Sequence, residues 1–216
     1  MVLRDWVLWH AAYDDPGSKL ARRLAVVRAR IVEWLDAARP GPLRAVSMCA
    51  GQGHDLIGAL AGRPRAGDVT ARLVELDPRN VAQARAAAAT AGLTGIEVVE
   101  GDAGVTDAYA GAVPADLVLA CGVFGNVSDE DVARTVAALP GFLAPGGTVV
   151  WTRHRDEPDL VPAMNGWFAE AGFAPVWLSA KEQGYGVGVH RLVGPARPLP
   201  PGERLFTFRG RPVAKP

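Results

Sequence analysis

What most constrains this chain is an alternation that stops. Short apolar runs, "RAVSMC" (44–49), "VTARLVEL" (69–76), "IEVVEG" (96–101), "ADLVLAC" (115–121) and "TVVWTR" (148–153), are separated by segments with helical signals. Strands alternating with helices imply a parallel sheet with helices on both faces. Two further runs, "APVWLSA" (174–180) and "YGVGVHRLV" (185–193), then follow with only "KEQG" between them. So short a link makes a hairpin, so this last pair is antiparallel. The expectation is an α/β fold built on a seven-stranded sheet, mostly parallel and closed by an antiparallel hairpin.

Helix boundaries are marked along the chain. Ser18 in "PGS" is placed to cap a helix whose apolar stripe is Leu20, Leu24, Val27, Ile31 and Leu35, and "ARPGP" ends it near residue 40. A short helix is expected from about His54 to Ala61. Asp77 and Pro78 take the N-cap and first position of the next one, with Gly92 past its end. Ser128, with Asp131 three residues on, caps another, and a helix around 159–171 ends at Gly172. "APGG" (144–147) reads as the turn into the fifth strand. The chain therefore divides into an N-terminal helical segment (1–43), a sheet domain (44–193) and a proline-rich tail (194–216) whose apolar run "RLFTF" can dock.

Charge and cysteine content narrow the function classes. Lys plus Arg and Asp plus Glu number 23 each in 216 residues, so no net charge draws the protein to a polyanion, and nucleic acid is disfavoured as a partner. No apolar run approaches the roughly 20 residues needed to span a bilayer. "MVLRDWVLWH" carries charge inside its apolar part and no small-residue cleavage site, so no signal peptide is read. Two cysteines, Cys49 and Cys121, suit a reducing compartment, and the expected localisation is cytoplasmic. The Ala, Arg, Gly and Pro bias has the look of a high-GC bacterial genome. Monomer and homodimer stay equally open.

The turn "CAGQGHDL" (49–56) sits where a doubly wound sheet binds its ligand, at the carboxyl end of the first strand. A dinucleotide turn wants G-x-G-x-x-G; Gly51 and Gly53 fit, but Leu56 holds the third glycine position. The motifs in order, "CAGQG", "LVELDP", "EGDA", "ADLVLACGVFGN" and "LAPGGTVVW", resemble those of the class I S-adenosylmethionine-dependent methyltransferases over residues 44–193, in a small stand-alone form. That resemblance implies a Rossmann-like sheet ordered 3-2-1-4-5 over its first five strands, S-adenosyl-L-methionine as cofactor and S-adenosyl-L-homocysteine as product. Small size and neutral charge leave room for only a short substrate lid, so the expected methyl acceptor is a small molecule, at oxygen or nitrogen. It departs from the family in two places. Cys49 stands where an acid usually begins the first motif, and Asp55 replaces the last glycine. The fourth motif also lacks the N/D-P-P-Y sequence of enzymes that methylate nucleic-acid amino groups.

Carried over residue by residue, the resemblance places Cys49, Ala50, Gly51, Gln52 and Gly53 around the cofactor. Glu75 would accept from the ribose hydroxyls, with Leu76 beside it, and Asp102 and Ala103 would meet the adenine. Cys121 and Gly122 end the fourth strand, and Asp55 would supply the missing charge near the methionine end, or else only favour its helix dipole. Tyr13, on a face shared with Trp6, Trp9 and His10, resembles a lid tyrosine; an aromatic stripe at helical spacing is otherwise core. His154 in "WTRHRDEP" is the candidate base, flanked by Arg153 and Arg155 as anion binders, and Asn126 the candidate for orienting the acceptor. Both cysteines read best as small core residues, and His190 as structural. No acidic cluster at strand ends calls for a metal. Two other readings stand beside this one: a nicotinamide-dependent oxidoreductase, and a non-catalytic module that binds a cofactor or a partner.

Overall fold

The computed structural model describes residues 11–209, so Trp6, Trp9 and His10 lie outside the described residues. Seven strands form one sheet in the order β3-β2-β1-β4-β5-β7-β6. They are β1 (Leu43–Met48), β2 (Val69–Glu75), β3 (Ile96–Glu100), β4 (Ala115–Ala120), β5 (Leu143–His154), β6 (Phe173–Leu178) and β7 (Tyr185–Leu192). The first five pair in parallel, and β7 slots between β5 and β6 antiparallel to both. β1 therefore has β2 on one side and β4 on the other, the reversal point that opens a crevice at the strands' carboxyl ends.

β5 begins earlier than its sequence suggests. "APGG" lies inside the strand: the pairing runs Ala115↔Leu143 and then jumps to Leu117↔Thr148. Gly146, at φ 77, allows this bulge where other residues would be strained.

Among the described residues, five α-helices cover the two faces. α1 (Lys19–Ala37), α2 (Leu56–Leu60) and α3 (Pro78–Thr90) pack on one side; α4 (Asp129–Ala138) and α5 (Val161–Glu170) pack on the other. Ser18 caps α1, its hydroxyl accepting from Ala21 N–H at 2.9 Å. Arg65 reaches back to the last turn, donating to the carbonyls of Leu35 and Ala38. The stripe divides along its length. Val27, Ile31 and Leu35 are buried, while Leu24 and Val27 also face the cavity described below.

The face under α5 holds an acid-sensitive element. Trp151 is fully buried and donates its indole N–H to His190 Nδ1 at 3.0 Å; no Cβ would fit at Gly188 against that indole. The His190 ring stacks on Phe168 with centroids 4.2 Å apart and is 2% exposed. Burial pushes its pKa down to about 4. An unfolded chain takes up this proton near pH 6.5, so His190 favours the folded state above 6.5 and loses that preference as pH falls to 4. The loss should reach about 3 kcal/mol. Urea melts at several pH values would measure it against His190→Gln, which keeps an acceptor for Trp151 but does not titrate. Identical pH slopes in the two proteins would remove His190 as the cause.

The tail returns across the sheet's carboxyl edge. Arg204 bridges Val105 in antiparallel fashion, Leu205 N–H donates to the Gly104 carbonyl at 2.8 Å, and Leu205 and Phe206 are buried.

Candidate functional site

The turn after β1 is held in an uncommon conformation. Cys49 has φ 50, the only positive value at a non-glycine among the described residues, followed by Gly51 at 56 and Gly53 at 74. A left-handed cysteine costs energy that the surroundings must offset, and such strain concentrates at functional sites. Gly53 has a second reason to be glycine, since a Cβ there would collide with Ile57. Ala50 N–H continues the β1–β2 ladder by donating to the Val74 carbonyl at 2.9 Å. The turn leads into α2, where Asp55 is the N-cap and its Oδ1 accepts from Leu56 N–H at 2.7 Å.

Above the turn lies a cavity of about 720 Å³. Its floor comes from the carboxyl ends of five strands: Cys49 to Gly51, Glu75 and Leu76, Asp102 and Ala103, Cys121 and Gly122, and Thr152. Tyr13, Arg23, Leu24 and Val27 close one side, and Phe206 and Phe208 of the tail close another. That volume is within the usual range for small-molecule sites.

Glu75 is fixed at the centre. Its Oε2 accepts from Gly51 N–H at 2.8 Å and its Oε1 from Asp77 N–H at 2.9 Å, and it is 8% exposed. Each oxygen keeps a further lone-pair site for a donor in the cavity. Leu76 beside it is 69% exposed, an apolar surface open to a flat ring. Asp77 itself caps α3, accepting from Arg79 N–H at 2.9 Å.

Chemistry at the other end is set by burial. The Cys49 thiol is raised well above its ordinary value, by burial first and then by Glu75 and Asp102; Cys121 is raised by burial and then by Asp55. Both stay protonated at neutral pH and are poor nucleophiles. Tyr13 is raised to about 12, by burial with Arg23 opposing, so its phenol keeps its proton. Its ring lies 4.9 Å from that of His54. Burial, then Arg28, lowers His54, which is neutral at pH 7. His54 Nε2 sits 3.0 Å from Gln52 Oε1, and Gln52 Nε2 donates to Asn80 Oδ1 at 3.2 Å. Because the amide oxygen only accepts, Nε2 carries the imidazole proton and Nδ1 is the basic nitrogen.

The sequence candidates are not all brought together. Cys49, Ala50, Gly51, Asp55, Glu75, Leu76, Asp102, Ala103, Cys121, Gly122 and Tyr13 line the cavity. Gln52 and Gly53 lie beneath the turn, toward Asn80 and Ile57. His154 and Asn126 are not among the lining residues. β5 pairs with β7 as far as His154↔Tyr185, which carries His154 a full pleat beyond Thr152 to pack over Gly125, 3.5 Å from Asp156. Asn126 uses its amide inside its own loop, donating to the Gly122 carbonyl at 2.6 Å. The arginines flanking His154 are committed elsewhere, a correction to their reading as anion binders. Arg153 donates to the Phe124 carbonyl and pairs with Asp129 at 3.3 Å; Arg155 pairs with Asp159 at 2.9 Å, their side chains each 7% exposed. Sequence reasoning missed Arg23, Asn80, Thr152, Phe206 and Phe208 as site residues, and the only signal for any of them was the docking run "RLFTF".

Solved structures share the fold of this chain. An O-methyltransferase family protein from Burkholderia thailandensis superposes with a TM-score of 0.62 at 18% identity, over 79% of this chain and 55% of that one. The chain thus spans little more than half of that protein's length. An RNA methyltransferase from Salinibacter ruber, in complex with S-adenosyl-L-homocysteine, gives a TM-score of 0.53 at 21% identity over 79% and 92%. The chain has the class I methyltransferase fold. The same fold includes the [4+2]-cyclase SpnF, with a TM-score of 0.57 at 15% identity over 76% and 80%, so chemistry has to be argued from the site. No protein-family model matches the sequence, and no curated protein matches it. Among the described residues, no helix is long and apolar enough to cross a membrane.

Proposed function

We propose that this protein is an S-adenosyl-L-methionine-dependent methyltransferase acting on a small molecule at oxygen or nitrogen. Bound in the cavity, the cofactor supplies an electrophilic sulfonium methyl group. One observation favours it over a dinucleotide: the N-terminus of α2 is filled by the protein's own Asp55 carboxylate. A pyrophosphate binds at such a helix N-terminus, and here it would face a carboxylate that already occupies the Leu56 N–H. S-Adenosylmethionine has no phosphate to place there, and its ammonium group suits an acid.

The residues present fit the cofactor. Glu75 offers two aligned acceptors to a ribose diol, and the glycine turn permits close backbone approach. Asn80, fully buried under the same wall, has an amide nitrogen with no hydrogen-bond partner among the described residues. The chain's remaining task is to align the acceptor and keep water out, which α1 and the tail serve by covering the cavity from two sides. For an acceptor that must lose a proton, His54 is, among the described residues, the imidazole that faces the cavity, and its depressed pKa keeps it unprotonated.

Calorimetric titration with S-adenosylhomocysteine, with NADH in parallel, tests the reading. Micromolar binding of the first alone is expected. Binding of NADH alone would replace it with an oxidoreductase, and binding of neither would favour a partner-protein role. S-Adenosylhomocysteine release during an acceptor screen separates a methyltransferase from a protein that only holds the cofactor.

A further inference from the structure

Asp102 meets the cavity with both oxygens already anchored. Oδ1 accepts from Gly104 N–H at 2.8 Å, and Oδ2 accepts from Arg204 Nη1 at 2.6 Å. Arg204 belongs to the tail, more than a hundred residues away in sequence. The tail reaches this loop as a short antiparallel pairing: Arg204 bridges Val105, Leu205 N–H donates to the Gly104 carbonyl, and Thr106 N–H donates to the Glu203 carbonyl at 3.1 Å. A Cβ on Gly104 would collide with the Phe206 carbonyl, so the two segments are in direct contact.

The ion pair does not itself hold the tail down. Its side chains are 51% and 48% exposed, and such pairs contribute little once screened. Burial of Leu205 and Phe206 does the docking. The pair fixes orientation instead. A carboxylate turns freely about its terminal torsion, which has a broad energy profile. Anchors on both oxygens stop that rotation, while leaving lone pairs for a donor in the cavity.

We infer that Arg204 is a positioning residue: it aims the Asp102 carboxylate at an exocyclic amino group of the bound base, so the C-terminal segment sets a preference for adenine over a 6-oxopurine. The inference rests on the cofactor reading above. An amino group donates to the carboxylate, whereas an oxo group would turn its own lone pairs against it. Phe206 and Phe208, from the same segment, also line the cavity.

The test compares S-adenosylhomocysteine with its 6-oxo analogue S-inosylhomocysteine by calorimetry. The wild-type protein should prefer the adenine compound by about tenfold. Arg204→Ala should lower that ratio by about fivefold, mainly by weakening the adenine compound, and Arg204→Lys should keep most of it. If Arg204 acts through Asp102, adding Arg204→Ala to Asp102→Asn should change the ratio by less than about twofold. An unchanged ratio in Arg204→Ala, or equal weakening of both probes, overturns the inference while leaving the cofactor site intact. Wild-type protein that binds neither probe overturns both. Should Arg204→Ala fail to fold, Arg204→Gln and Arg204→Lys carry the same comparison.

Discussion

Glu75→Ala should weaken S-adenosylhomocysteine binding by more than about a hundredfold. Two hydroxyl groups donating to one carboxylate make two charge-assisted hydrogen bonds, each worth about 1.5–3 kcal/mol. Losing both removes about 3 kcal/mol or more, and each 1.4 kcal/mol is about tenfold in Kd. The alanine also strips the acceptors from Gly51 N–H and Asp77 N–H, so the glycine turn and the start of α3 lose a shared anchor. Glu75→Gln is not a mild control. One end of the amide is a donor, and whichever way it turns it faces a backbone N–H that also donates. Both variants should therefore bind weakly and melt earlier than wild type. A Kd within about threefold of wild type, in a variant with an unchanged far-UV spectrum, would take Glu75 out of the site.

The fold was legible because its signals are local and agree with one another. β-Rich runs, caps at Ser18, Asp77 and Ser128, and one short hairpin link leave few alternatives to the sheet observed. The start of β5 was hidden because a bulge carrying Pro145, Gly146 and Gly147 looks like a turn in sequence. Legibility of the site follows the same division. Residues at strand ends could be placed by counting, so Gly51, Glu75, Asp102 and Cys121 reach the cavity. His154 lies two residues past the last lining residue of its strand, and counting cannot tell where a cavity rim ends. His54 was read as the start of a helix, yet the turn's left-handed residues swing it toward Tyr13. Arg23, Phe206 and Phe208 come from outside the sheet domain. Their arrival depends on long-range docking, which no local pattern encodes.

That docking has the largest expected energetic consequence. A chain ending at Gly202 loses Leu205 and Phe206, which are 2% and 1% exposed. Removing a buried leucine costs about 2–5 kcal/mol and a buried phenylalanine about 3–5. The shortened chain should be less stable by about 5 kcal/mol or more, a fall in Tm of roughly 10–20 °C for a domain this size. The tail also joins loops that the sheet leaves apart. Leu205 N–H donates to Gly104 after β3, Thr207 N–H to Asp131 in α4, and Arg209 N–H to the Asn126 carbonyl after β4, at 2.8, 3.0 and 2.8 Å. Gly104 and Asn126 follow the lining residues Ala103 and Gly122 in the loops after β3 and β4, so cofactor affinity should fall together with stability. Leu205→Ala and Phe206→Ala separate the two effects. Leu205 faces the core alone and should lower Tm with little change in Kd, whereas Phe206 faces both core and cavity and should change both. A shortened chain that melts within about 3 °C of wild type would mean that the segment lies on the domain without stabilising it.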